Sequence, residues 1–155
     1  MSGWFETRLT VLFQHCDPAG IVFFPRWFEM LNQVVEIWFD EGLGCDFREL
    51  HLTRNCGIPA IRTEADYRSP GVLGESVLWR LGVVKLGGSS IALKVEASGE
   101  DGRVRVAFDH TVIFAEMGPP PKAKRVPDDL RTRMADFVIG EEDGTAAAPH
   151  PSVRT

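Results

Sequence analysis

The chain has 155 residues, which is the size of one ordinary domain. Apolar residues make up 44% and charged residues 25%, a composition that excludes a mainly disordered chain. The formal net charge of −5 argues against general nucleic-acid binding, and no apolar run approaches the roughly 18 to 20 residues that span a bilayer.

The cysteines and the first residues indicate where the protein works. The N-terminus has no basic region followed by an apolar stretch, so no secretory signal is predicted. Cys16, Cys45 and Cys56 are too few and too scattered for a disulfide framework or a zinc site. A reducing cytoplasm, with neither nucleic acid nor membrane as a partner, is the prediction.

A strand followed by a strongly apolar helix is predicted in the first third of the chain. Residues 8–14 alternate and predict a strand. From Phe24 to Glu41 the period changes to that of a helix, with one narrow polar stripe, so most of this helix should be buried. Gly42 is predicted to end it. The polar stripe consists of Glu29, Gln33, Glu36 and Asp40.

The rest of the chain predicts mainly sheet. Alternation and turn residues predict four strands and, after them, a short helix capped by Asp128 that ends near Phe137. Because the connections are short, the strands should pair antiparallel. The predicted class is α+β, an antiparallel sheet of about five strands curled around a central helix. The strands are placed near residues 59–68, 75–85, 89–99 and 103–115.

The domain boundary falls near the C-terminus. Residues 140–155 are small and polar, contain proline and glycine, and have almost nothing bulky to bury. They predict a flexible tail, which leaves residues 1–139 as a single domain.

One loop combines an acid with the start of the buried helix. Asp17 lies a few residues before that helix, whose first N–H groups lack partners within it and can stabilise a developing oxyanion. Asp17 could activate water or attack an acyl carbon itself. The structural alternative stays open, because Asp-Pro is a common turn and Asp17 could serve only to cap a backbone group.

The same loop resembles the signature of the 4-hydroxybenzoyl-CoA thioesterase family of hotdog-fold proteins. The matching core is Asp17-Pro18-Ala19-Gly20-Ile21-Val22, followed by an aromatic pair and Pro25. The strand order, Pro59 and the ending from Lys122 to Pro127 are also similar, so that the resemblance spans roughly residues 5–138.

The resemblance implies a hotdog fold that assembles as a homo-oligomer, a dimer or a dimer of dimers. It implies hydrolysis of an acyl-CoA thioester without metal or cofactor, coenzyme A being part of the substrate. Asp17 matches the family's catalytic carboxylate, as nucleophile or general base. The backbone N–H of Phe24 matches the group that polarises the thioester carbonyl, and Gly20 is grouped with these catalytic positions.

Substrate-binding positions also come from the resemblance, with departures from the family pattern. Phe24 stands where a tyrosine is typical, and Asn32 stands where a carboxylate can bind a phenolic acyl group, which argues against 4-hydroxybenzoyl specificity. The turn before Ser90 lacks the arginines that can hold CoA phosphates, and lysines could replace them. The predicted substrate-binding residues are Val22, Asn32, Pro59, Lys85, Ser90 and Lys122.

Two other functions remain open. A hotdog hydratase or dehydratase would need a histidine and an acid that converge, for which His15 or His110 with Glu64 are candidates. A binding module would hold acyl-CoA or acyl carrier protein without hydrolysis. Within the loop, His15 is expected to be a partly exposed histidine, and Cys16 has no clear base that would make it a nucleophile.

Overall fold

Alternating apolar residues and turn-forming glycines divide most of the chain into short strands. The computed structural model describes residues 3–140. The strands are β1 (Phe5–Thr10), β2 (Cys56–Gly57), β3 (Ala60–Tyr67), β4 (Ser76–Leu86), β5 (Ser90–Ser98), β6 (Val104–Ile113), β7 (Ala115–Glu116) and β8 (Lys122–Ala123). The main sheet has five antiparallel strands in the order β1-β4-β5-β6-β3, and a small sheet has the order β2-β7-β8.

Helical structure interrupts the strands at four places. The central helix α1 (Phe24–Ile37) continues into a wider, π-helical turn over Trp38–Gly42, and helix α2 (Asp128–Ala135) follows the last strand. A 3₁₀ turn covers Phe13–His15, and a second π-helical turn covers Glu49–Thr53.

The main sheet wraps around α1, as predicted. Val77, Trp79 and Leu81 alternate along β4 and are completely buried on the face that meets the helix. The indole ring of Trp27 on α1 packs on that of Trp79 with 5.8 Å between ring centroids. Phe28 packs edge-on against Phe108 of β6 at 5.4 Å. The buried apolar face of α1 therefore fixes the helix, and with it the helix N-terminus, on the sheet.

The predicted strand over residues 8–14 is wrong in its second half. β1 ends at Thr10, and the chain then turns over Phe13–His15, which leaves the Phe13 side chain 84% exposed. The turn forms because the backbone of Leu12 bonds to residue 15 twice, once through its carbonyl and once through its N–H. These local hydrogen bonds replace those that a longer strand would make.

Both predicted helix caps differ from the observed ones by one or two residues. Gly42 lies inside the last helical turn, and Gly44, with φ of +66°, is the residue that adopts the left-handed conformation after it. Asp128 is the first residue of α2, whose N-cap is Pro127. Neither error changes the fold, because α1 and α2 keep their predicted positions in the chain.

One side of α1 stays open, contrary to the prediction that most of the helix is buried. The side chain of Phe24 is 59% exposed, and Phe28 and Asn32 are also exposed. A single sheet covers only part of the helix circumference, and this side faces past β3, the edge strand of the sheet. The predicted tail lies outside the described residues from position 141 onward.

Candidate active site

Asp17 lies in a tight turn immediately before α1. Its carboxylate Oδ1 accepts a hydrogen bond from the N–H of Ala19 at 2.8 Å, and its carbonyl accepts one from Gly20 at 2.9 Å. Gly20 has φ of +78°, a left-handed conformation that glycine adopts at little cost. Asp17 is partly exposed, and within residues 3–140 its other carboxylate oxygen, Oδ2, has no hydrogen-bond partner. One oxygen thus holds the turn while the other is available for chemistry.

Backbone pairing holds this turn against the start of the helix. Cys16 pairs with Val22 in an antiparallel bridge, and the N–H of Asp17 donates to the carbonyl of Ile21 at 3.0 Å. The N–H of Phe23, the N-cap residue of α1, donates to the carbonyl of His15 at 2.9 Å. The segment that carries Asp17 is therefore tied to residues that directly precede the first helical turn.

The first helical turn presents one unpaired backbone donor. Phe23 uses its N–H on His15, and Pro25 has no N–H. Phe24 lies between them as the first helical residue, and no acceptor within residues 3–140 bonds its N–H. This donor lies at the positive end of the helix dipole, where an anionic oxygen is stabilised. This N–H and the Asp17 turn therefore lie on segments joined by the backbone hydrogen bonds described above.

His15 is buried, so the predicted partly exposed loop histidine is wrong. Its side chain is 7% exposed, and its Nδ1 atom accepts a hydrogen bond from the N–H of Leu12 at 2.9 Å. Burial lowers the pKa of His15; the Glu29 carboxylate opposes that shift, and the Arg26 guanidinium adds to it. The imidazole is therefore held in its neutral form.

Cys16 has the wrong surroundings for a nucleophile. Its thiol is partly buried, and this burial, together with the neighbouring Asp17 carboxylate, raises the pKa of the thiol. A raised pKa leaves the sulfur protonated at neutral pH. A protonated thiol is a poor nucleophile.

The segment from Gly71 to Gly74 supports the Asp17 turn from outside. The carbonyl of Gly71 accepts a hydrogen bond from the N–H of Val22 at 2.9 Å, and Leu73 donates to the carbonyl of Gly20 at 3.0 Å. Next along the chain, both carboxylate oxygens of Glu75 bond the buried guanidinium of Arg105 at 2.9 Å. The turn thus rests on a segment that a buried ion pair anchors to the sheet.

Gly71→Ala is expected to lower the free energy of unfolding by about 1–3 kcal/mol, because the added methyl overpacks a filled site. A Cβ at this position would lie 2.7 Å from Cζ2 of Trp27 and 3.0 Å from Cγ2 of Val22. Urea unfolding measures the change. Gly88→Ala is the matched control, because a Cβ there has nothing within 4 Å, and an equal loss in both variants would contradict the packing argument.

A pocket of about 350 Å³ opens between α1 and the β3–β6 end of the sheet. Two of the predicted substrate-binding residues, Asn32 and Pro59, line it. The Thr63 hydroxyl and Nδ1 of His110 lie 2.8 Å apart at its polar wall, and burial lowers the pKa of His110. Its apolar lining consists of Phe28, Leu31, Val35, Ile58, Ala60 and Val112. A mostly apolar pocket with a few polar groups is typical of a small-molecule site.

The other predicted substrate-binding residues lie elsewhere. Val22 is buried beside Gly71 and shows little surface to a ligand. Lys85 and Lys122 are exposed, at the end of β4 and in β8, and Ser90 begins β5 after the glycine turn. No hydrogen bond within residues 3–140 joins these three to the Asp17 turn. Their binding roles stay predictions.

Two residues near the site carried no recognisable signal in the sequence. Thr63 contacts His110 across the β3–β6 pair, a contact that depends on strand register. Gly71 stands between two predicted strands, where a turn glycine is ordinary, and close approach of Trp27 is the structural reason for a glycine there. Both depend on contacts distant in sequence, which periodicity does not reveal.

Residues 3–140 contain neither a metal-binding cluster nor a membrane-spanning helix. Nowhere in that range do three or more His, Cys, Asp or Glu side chains form a group that could hold a metal ion. No helix in the same range has the length and apolar character to cross a membrane.

The antiparallel five-stranded sheet curled around α1 is the hotdog fold, as predicted. Residues 34–106 match the family model of the thioesterase superfamily, a superfamily of thioester hydrolases. This match and the fold agree with the resemblance, and the matched residues begin after the loop that carries it. A comparison with curated proteins finds no match.

Solved structures share the fold at low sequence identity, and thioesterases are among them. A 1,4-dihydroxy-2-naphthoyl-CoA thioesterase from Synechocystis has 18% identity and a TM-score of 0.77, over 87% of this chain and 98% of that one. The 4-hydroxybenzoyl-CoA thioesterase of Pseudomonas sp. strain CBS-3 has 20% identity and a TM-score of 0.77, over 85% and 99%. A Staphylococcus aureus protein in complex with CoA has 15% identity and a TM-score of 0.80, over 97% and 92%.

Proposed function

We propose that this chain is an acyl-CoA thioesterase that uses Asp17 and the backbone N–H of Phe24. The observation that carries the proposal is the unpaired N–H at the start of a buried helix, tied by backbone hydrogen bonds to a turn with a free carboxylate oxygen. The match to the thioesterase superfamily supports the reaction class.

The proposed reaction begins with the thioester carbonyl oxygen at the N–H of Phe24. As general base, Asp17 takes a proton from water while the water oxygen bonds to the acyl carbon, and the carbonyl electron pair moves onto the oxygen. The N–H and the helix dipole stabilise that oxyanion. When the tetrahedral intermediate collapses, the C–S bond breaks, and the sulfur leaves as CoA thiol with the proton returned by Asp17.

The nucleophilic alternative uses the same two groups. An oxygen of Asp17 bonds to the acyl carbon, CoA thiolate leaves, and water then hydrolyses the resulting mixed anhydride. If water attacks the Asp17 carbonyl carbon of that anhydride, the free acid leaves and one ¹⁸O atom from labelled water stays in the Asp17 side chain, a label that general-base catalysis does not introduce.

The pocket beside α1 favours a substrate with a bulky or aromatic acyl group. Its volume of about 350 Å³ and its apolar lining suit such a group, with Asn32 as a polar contact. For the CoA portion we propose Lys85, Ser90 and Lys122, because exposed lysines can meet its phosphates.

We further propose that the chain works as a homo-oligomer in the cytoplasm. Strand β3 lies at the edge of the main sheet over eight residues, and the Ile61 side chain on it is 60% exposed. A long edge strand with apolar side chains favours pairing with a second copy. The three free cysteines agree with a reducing compartment.

A panel of acyl-CoA and enoyl-CoA substrates tests the proposal. Release of free thiol from at least one acyl-CoA, with a thiol reagent as readout, is the expected result. Water addition to an enoyl-CoA without thiol release would instead identify a hydratase. Binding of acyl-CoA with neither reaction would identify a binding module.

A further inference from the structure

We propose that His15 is a positioning residue, which holds the Asp17 turn at the first turn of α1 only while its imidazole is neutral. The inference rests on the proposed function, because the position of Asp17 matters for turnover only if Asp17 carries the reaction.

His15 makes contacts on both sides of the loop. Its side-chain Nδ1 accepts a hydrogen bond from the backbone N–H of Leu12 at 2.9 Å. The backbone N–H of His15 donates to the carbonyl of Leu12, also at 2.9 Å. Its carbonyl accepts the N–H of Phe23, the N-cap residue of α1, at 2.9 Å. One residue therefore closes the turn where the chain leaves β1 and ties it to the helix. Asp17 follows two residues later.

The side-chain contact requires one protonation state. Nδ1 can accept the N–H of Leu12 only if it carries a lone pair, so the proton of the neutral ring is on Nε2. In the imidazolium form both ring nitrogens carry protons, and two donors would then face each other. Protonation of His15 should break this contact and release the start of the loop.

The surroundings of His15 agree with a neutral ring. The side chain is buried, and burial lowers its pKa. The charged groups of α1 that face His15 are Glu29 and Arg26, which form an ion pair at 2.7 Å. The other ionisable groups near the turn are Cys16 and Asp17 on its own segment and, on the segment packed against the turn, Glu75, which is paired with Arg105.

The sign of the pH effect follows from the lowered pKa. Since the folded protein holds this proton less tightly than the unfolded chain, His15 contributes stability above about pH 6.5, and this contribution falls as the pH drops below that value. In the folded protein, the fraction with a correctly placed Asp17 should decrease as the pH falls through the lowered pKa of His15. Protonation of His15 should therefore contribute to the acid limb of kcat/KM.

Two substitutions separate the hydrogen bond from the bulk of the ring. In His15→Asn the Oδ1 atom sits where Nδ1 was and accepts the N–H of Leu12 without titrating, whereas His15→Leu leaves that N–H without a partner. At pH 8 we expect kcat of the Leu variant to fall about 10- to 100-fold, with KM nearly unchanged, because the acid is misplaced rather than removed. The Asn variant should keep kcat within about threefold and lose the His15 part of the acid limb.

Kinetics can contradict this inference in two ways. Wild-type turnover in His15→Leu would show that the contact does not position Asp17. Equal losses in both variants, with an unchanged acid limb, would show that the ring matters for another reason. Circular dichroism spectra and melting temperatures of the variants identify losses caused by unfolding.

Nuclear magnetic resonance of the wild-type protein tests the contact without any substrate. We expect ¹⁵N shifts that place the proton on Nε2 at pH 8, and exchange protection of the Leu12 amide that disappears as His15 titrates. A proton on Nδ1 at that pH, or a Leu12 amide indifferent to the titration, would overturn the inference. If the wild type releases no thiol from any acyl-CoA, the proposed function fails, and this titration still decides the contact.

Discussion

Asp17→Asn should reduce turnover of the thioester by about 10²- to 10⁴-fold, the contribution typical of a general base, and a nucleophilic role would make the loss at least as large. The amide cannot take a proton from water and does not displace a thiolate. The turn itself should survive, since the Asn oxygen can still accept the N–H of Ala19 that now bonds Oδ1 at 2.8 Å. The expected result is thus a folded protein that binds substrate and does not cleave it.

Thiol release under single-turnover conditions measures this loss, and calorimetric titration with CoA measures binding in the same variant. Glu29→Gln is the matched control, because it makes the same carboxylate-to-amide change on an exposed side chain of α1 whose partner is Arg26. Turnover at the wild-type rate in Asp17→Asn would remove Asp17 from the mechanism.

Phe24→Pro should reduce kcat by about 10²- to 10³-fold, the usual cost of removing one oxyanion donor. Proline removes the backbone N–H of interest together with the Phe24 ring, and it is favoured at the first position of a helix. The preceding residue, Phe23, has ψ of 127°, an extended conformation that is compatible with a following proline. The helix should therefore form with its donor missing.

Phe24→Ala is the control for this experiment, because it removes the same ring and keeps the N–H. We expect its kcat to stay within about tenfold of wild type, since the exposed Phe24 ring would contribute packing rather than charge stabilisation. Melting temperatures of both variants are needed to detect any loss of fold. Equal kcat values in Phe24→Pro and Phe24→Ala would exclude the N–H as the oxyanion donor.

The sequence predicts the sheet and the central helix well because their signals are periodic. Along β4, for example, every second residue from Val77 to Leu81 is apolar, and all of these side chains are buried. The identity of the loop came from a motif around Asp17, whose spacing is local. Such features can be predicted without knowledge of contacts between residues distant in sequence.

The failures arise where local alternatives compete. Phe13 continues the alternation of β1, but a hydrogen bond between the Leu12 backbone and the His15 side chain ends the strand first. Gly42 and Gly44 are equally plausible caps, and only the path of the last helical turn selects the second. The loop around buried His15 is hydrogen-bonded to the segment from Gly71 to Gly74, which lies far along the chain, and the local sequence does not reveal such contacts.

The contact between Phe24 and Tyr67 links two properties that otherwise look separate. Their ring centroids lie 6.4 Å apart, so the residue that carries the proposed donor touches the last residue of the edge strand. A second copy seated on that edge would therefore alter the surroundings of the reacting carbonyl. By reciprocity, a ligand at the helix start must then change the association constant of the subunits by the same factor by which association changes its affinity. Dilution and substrate occupancy would act as two controls on a single equilibrium.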